Sequence, residues 1–214
     1  MIPADLKKYW RSLTKEEVNQ RPLQRYRGDV QVVYREEDVA AAVTRLSAAD
    51  VLGFDTETRP SFRRGQSHPP ALLQLAGADC VVLFRLSDLG LPEAVASLLA
   101  DPKRIKAGVA VHDDLEELQH FGRLLPASVI DLGDVARELG MKTNGLRNLS
   151  ANVLGFRISK GAQTTNWERR ELMDKQIRYA ATDAWVSREL YLRFRELGLL
   201  DLYRRKQERQ QAGR

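Results

Sequence analysis

The chain has 214 residues, 43% of them hydrophobic and 29% charged, which suits one folded domain with appendages and excludes a mostly disordered polymer. No stretch approaches the roughly 18 apolar residues that a bilayer span needs, and residues 1–8 lack the basic-then-apolar layout of a secretory signal. A net charge of +5 is compatible with a polyanionic partner. The single cysteine, Cys80, sits in an apolar run and reads as a buried, inert thiol, so a reducing cytoplasm is the expected compartment.

Residues 1–28 form a polar, basic extension with one short helix, opened by a capping box of Thr14 and Glu17. Arg21, Arg25 and Arg27 follow it, and a turn falls at Gly28-Asp29. Residues 30–34 read as a first strand and 36–46 as a helix with an apolar face of Val39, Ala42, Val43 and Leu46. Residues 50–55 form an apolar strand that ends in acid, and a loop over 59–70 comes next. Strands at 71–76 and 80–86 are separated by the tight Gly77-Ala78-Asp79 turn. That turn is too short for a helical crossover, so the two strands should pair antiparallel.

Thereafter helix and strand alternate: a helix over 92–99, a strand over 105–111, a helix over 113–121 and a strand over 128–131, with helical pattern beyond. A hairpin followed by βαβ-like alternation predicts an α/β fold, with a mixed central sheet flanked by α-helices. The boundaries are an extension over 1–28, a domain over 29–200 and a polar basic tail over 201–214. The tail lacks apolar periodicity from Arg204 onward and is expected to fray.

The informative feature is acid where apolar or neutral residues would be expected. Asp55 and Glu57 are two apart at a strand end, so period-two alternation aims both at one face of the sheet. Adjacent carboxylates repel, and a cation between them relieves the repulsion. A second acid, Asp113 or Asp114, lies where a strand meets a helix. A third, Asp183, lies four residues after Tyr179, on the same helical face. Four oxygen-donor acids and a phenol from three elements suit Mg²⁺ or Mn²⁺; no paired His or Cys spacing suits zinc. Two such ions are a recognised means of hydrolysing a phosphodiester.

Asp55-Thr56-Glu57, the segment from Gly108 to Asp114, and Tyr179-x-x-x-Asp183 resemble the three exonuclease motifs of the DEDD superfamily, in the tyrosine-bearing branch with ribonuclease D and the Werner exonuclease domain. The stretch from Lys160 to Asn166-Trp167 is similar to the one preceding the last motif there, and the resemblance spans about residues 29–200. It implies a ribonuclease H-like fold and stepwise 3′-to-5′ release of nucleoside 5′-monophosphates from single-stranded or 3′-overhanging nucleic acid, DNA or RNA. It also implies that Asp55, Glu57 and Asp183 hold the ion carrying the nucleophilic water, and that Asp55 and Asp114 hold the ion near the leaving group. Asp114 is preferred over Asp113 because the family's acid directly precedes the helix's first apolar residue, here Leu115. Tyr179 would orient the water, since a phenol with an ordinary pKa near 10 positions better than it deprotonates.

The sequence given ends soon after the last motif and includes no counterpart of ribonuclease D's helical C-terminal RNA-binding domains, which weakens any transfer of its tRNA substrate. Thr56, Arg59, Phe62, Arg63, Arg64, His112 and Lys160 are the candidate substrate contacts. The arginines of the 59–66 loop would hold phosphates, and Phe62 would stack on a terminal base. Packing is the expected role of Trp167, and Asp131 resembles a structural position of the family. The alternatives are a non-catalytic nucleic-acid-binding module of the same fold and a phosphodiesterase for short oligonucleotides. No membrane and no obligate protein partner is signalled.

Overall fold

The structure, a computed structural model, describes residues 4–61 and 68–212. A 3₁₀ turn, Ala4–Trp10, precedes α1 (Lys15–Gln20). The expected capping box opens α1: Thr14 Oγ1 accepts from the Glu17 amide at 3.1 Å, and Glu17 accepts from the Thr14 amide at 2.8 Å. Then come β1 (Asp29–Val33), α2 (Glu36–Leu46), β2 (Val51–Thr58), β3 (Pro70–Ala76), β4 (Cys80–Arg85), α3 (Leu86–Leu89) and α4 (Glu93–Ala100). The middle of the chain carries β5 (Ile105–Gly108), α5 (Val111–Leu118), β6 (Val129–Asp131) and α6 (Leu132–Glu138). The last part carries α7 (Leu146–Leu149), a π-helical turn over Ser150–Leu154, α8 (Asp174–Glu196) and α9 (Leu199–Ala212). No helix among the described residues is long and apolar enough to cross a membrane.

The six strands form one mixed sheet in the order β1-β4-β3-β2-β5-β6, in which β3 alone runs antiparallel to its neighbours. The tight turn at 77–79 forces β3 against β4 in that sense, with Ala76 opposite Val81. Helices cover both faces. Apolar residues of α2, α4 and α5 pack with Leu52, Phe54, Leu73 and Leu75 on one side. Apolar residues of α6, α8 and α9 pack with Val51 and Ala107 on the other, where Leu72 and Leu83 also meet α8. Period-two alternation along β2 therefore sends Gly53, Asp55 and Glu57 towards α8, and Phe54 and Thr56 the other way.

Three expectations need correction. The strand expected over 105–111 ends at Gly108, and the helix begins at Val111 rather than 113. The turn is made by Ala110 at φ 61° and by the Val111 amide, which donates to Asp131 Oδ2 at 2.9 Å. Val109 and Val111 thus pack in the two cores instead of pairing with a strand.

The region after 131 is not helical throughout, because residues 155–173 run as turns and extended chain. Their polar groups are met by a buried cation: Arg85, 1% exposed, donates to the Trp167 and Arg169 carbonyls at 2.8 Å each. Last, the tail expected to fray continues α9. Lys206 reaches the Glu138 carbonyl and carboxylate of α6, and Leu200, Leu202 and Tyr203 lie on the second core.

Candidate active site

The carboxylates come together because α8 crosses β2 so closely that no side chain fits between them at Gly53. A Cβ on Gly53 would stand 1.9 Å from the Ala184 carbonyl oxygen and 2.8 Å from the Arg188 nitrogen. Only glycine accommodates that approach, and it lays Tyr179 and Asp183 against the face to which Asp55 and Glu57 point. Asp55, Glu57 and Asp183 each offer a carboxylate oxygen within 4.8 Å of the others, so this trio can hold a metal ion. Glu57 and Asp183 are buried and Asp55 is half-buried. Asp183 Oδ1 has no hydrogen-bond partner among the described residues. A buried, unmatched carboxylate oxygen facing two more acids fits a bound cation.

Asp114 is not one of that trio, but its charge bears on both Asp55 and Glu57. It projects from the first turn of α5, and its Oδ1 accepts from Thr56 Oγ1 at 2.8 Å. The register of the turn sets the two neighbouring acids apart: Asp114 is half-buried while Asp113 is exposed. Asp131 fixes that turn, since its second oxygen accepts the Asp134 amide at 3.0 Å while the first holds Val111. A buried acid here spans the starts of α5 and α6, the structural place that the sequence suggested for it.

Burial dominates the electrostatics of the cluster. It pushes Glu57 up to about 9, with the charges of Asp183 and Asp114 adding to it. Asp183 rises to about 7 through burial, opposed by the hydrogen bond from Tyr179. Asp114 also rises to about 7 through burial, opposed by Thr56. Asp55 is held well above its ordinary value by burial and then by Asp183, Glu57 and Asp114. Burial and the neighbouring acids raise Tyr179 too. Its hydroxyl therefore stays protonated and acts as a donor. The Trp167 ring, fully buried, lies 6.0 Å from the Tyr179 ring, in keeping with its expected packing role.

An open cleft of ≈ 330 Å³ runs over this cluster, and Thr56 and Lys160 both line it. Two other candidate contacts are placed elsewhere. Arg59 pairs with Glu168 at 2.9 Å. His112 is exposed on α5 and lines a separate hollow with Leu115 and Gln119, because the turn that half-buries Asp114 leaves His112 and Asp113 exposed. Phe62, Arg63 and Arg64 lie outside the described residues, as does Gln66 of the same loop. Sequence reading missed the wall formed by Leu146, Arg147, Asn148 and Gln163. Gln163 falls within the Lys160-to-Trp167 stretch but was not singled out, and residues 146–148 carry no motif and reach the cleft only through tertiary packing.

Comparison with known proteins places this geometry. A family model described as 3′-5′ exonuclease matches residues 30–198. The chain is 32% identical to the mouse bifunctional 3′-5′ exonuclease/ATP-dependent helicase WRN over 160 residues, 72% of this chain and 11% of that protein. It is 43% identical to Haemophilus influenzae ribonuclease D over 144 residues, 65% of this chain and 35% of that protein. The chain spans well under half the length of these curated relatives.

Among solved structures, the Aedes aegypti Nibbler EXO domain superposes with a TM-score of 0.75 at 22% identity, covering 86% of this chain and 99% of that one. Escherichia coli RNase D gives 0.68 at 25%, covering 86% and 51%. The sheet and its flanking helices are thus the ribonuclease H-like fold of exonuclease domains. With the matched residues running from β1 into the loop after α8 and taking in all four acids and the tyrosine, the chain belongs to the 3′-5′ exonuclease family, a family of hydrolases.

Proposed function

We propose that the protein is a metal-dependent 3′-5′ exonuclease that hydrolyses the terminal phosphodiester of a single-stranded or 3′-overhanging nucleic acid, DNA or RNA, and releases nucleoside 5′-monophosphates. The observation that carries this reading is the trio of Asp55, Glu57 and Asp183 within 4.8 Å, with one buried oxygen left unmatched. Asp55, Glu57 and Asp183 would hold one Mg²⁺ or Mn²⁺, and Asp55 with Asp114 a second. Bound there, the two ions supply activation of the attacking water and stabilisation of the leaving oxygen.

The chain's own groups do the positioning. Tyr179 keeps its proton, orients Asp183 by donating to it, and can present the same hydroxyl oxygen as an acceptor to the water. Thr56 holds the Asp114 carboxylate in one rotamer at 2.8 Å, beside the strand that carries Asp55 and Glu57. Lys160, on the cleft wall, offers a cation to the phosphate.

A 5′-labelled oligonucleotide incubated with Mg²⁺ or Mn²⁺ should yield a ladder shortening from the 3′ end. EDTA and Asp55→Ala should each abolish it. No ladder with either metal, or a ladder that survives Asp55→Ala, would refute the assignment. Matched DNA and RNA strands run side by side identify the preferred sugar.

A further inference from the structure

A second cleft, of ≈ 480 Å³, lies on the far side of Tyr179 and Asp183, which it shares with the first cleft along with Ser159. One wall is residues 22–27 of the N-terminal extension, which precede the part of the chain matched by the family model. This segment is laid down as an extended strap. The Arg157 amide donates to the Pro22 carbonyl at 3.0 Å, and the Gln24 amide donates to the Arg157 carbonyl at 2.9 Å. Farther on, the Tyr26 amide donates to Thr182 Oγ1 at 3.1 Å, one residue before Asp183. The Tyr26 ring turns inward, 6.0 Å from the Trp185 ring. Leu23, Gln24, Arg25 and Arg27 line the cleft instead.

The opposite wall is a stripe of α8. Lys175, Arg178, Tyr179 and Thr182 stand at i, i+3, i+4 and i+7, and all four line the same space. Arg25, Arg27, Lys175 and Arg178 are exposed, and none has an ion pair with a described residue. Four cations without ion pairs lining one cleft repel, and a polyanion among them relieves that repulsion.

We propose that this second cleft binds the phosphodiester backbone of the substrate strand next to the end being hydrolysed, with the strap arginines and the α8 cations on the phosphates. The proposal rests on the exonuclease reading of the adjoining site. The strap would then be a substrate clamp, raising affinity without discriminating among bases.

The test reads binding apart from turnover. Fluorescence anisotropy of a labelled single-stranded oligonucleotide, in EDTA and over a salt series, is compared for the wild type, Arg25→Ala/Arg27→Ala, and Arg205→Ala/Arg209→Ala. The last removes the same charge from the exposed surface of α9. The strap variant is expected to bind about tenfold more weakly near 0.1 M salt, with the slope of log Kd against log salt shallower by about 1.4 for two lost phosphate contacts. Arg25→Lys/Arg27→Lys should recover most of the affinity, and the α9 variant should match the wild type.

Unchanged affinity and slope in the strap variant would overturn the proposal. So would an equal loss in the α9 variant, or a loss confined to inhibition by a nucleoside 5′-monophosphate. A protein that yields the ladder while the strap variant binds normally sinks this inference alone. Strap-dependent binding without any ladder sinks the exonuclease reading alone.

Discussion

Replacing Asp183 by asparagine should make the metal-free protein more stable while destroying its activity. Asp183 is buried beside Asp55 and Glu57, and its carboxyl is pushed from an ordinary 3.8 up to about 7. Keeping it ionised at pH 8 therefore costs roughly 4 kcal/mol relative to the unfolded chain. The sign follows from linkage. An acid whose folded pKa is raised contributes its stability fully below the unfolded value near 4, and that stability is lost as pH rises through about 7. An amide at 183 never ionises, and its carbonyl oxygen can still accept from Tyr179.

Asp183→Asn should thus stabilise the metal-free protein by about 2–4 kcal/mol at pH 8 and by little at pH 4. For a chain of this size the gain amounts to roughly 4–16 °C in Tm at the higher pH. Thermal melts in EDTA at the two pH values measure it. Added Mn²⁺ should raise the Tm of the wild type and leave the variant nearly unmoved. A variant that melts below the wild type at pH 8 in EDTA would show that burial does not penalise the Asp183 charge, and the electrostatic reading of the site would fail with it.

Three further outcomes are expected. Tyr179→Phe should lower kcat about a hundredfold with little change in KM, because it removes a positioning hydroxyl rather than a binding contact; steady-state kinetics on a labelled strand would show it. Gly53→Ala forces a methyl into the Ala184 carbonyl, so denaturant titration should find about 1–3 kcal/mol lost, and the displaced α8 should reduce activity more than that loss of stability explains. Asp131→Ala strips the Val111 and Asp134 amides of their acceptor. It should cost about 1–3 kcal/mol and weaken metal binding by disturbing Asp114, which isothermal titration with Mn²⁺ can read.

Local chemistry was legible in the order of residues. The box of Thr14 and Glu17, the helix over 36–46 and the hairpin at 77–79 depend on neighbours in the chain, and each formed where expected. The pairing of Asp55 with Glu57 on one face needed only the two-residue period of a strand, and that of Tyr179 with Asp183 only the helical one. Tertiary packing decided what those periods cannot reach. The bare backbone of Gly53 let α8 lie close enough to bring Asp183 to the strand, and an Asp131 hydrogen bond ended β5 early and left Asp114 half-buried and Asp113 exposed. The Thr56 contact to Asp114, the pairing of Arg59 with Glu168 and the basic strap across Thr182 all join residues more than fifty positions apart. Contacts between side chains so distant in sequence arise only from the packing of whole elements, and no local pattern encodes them.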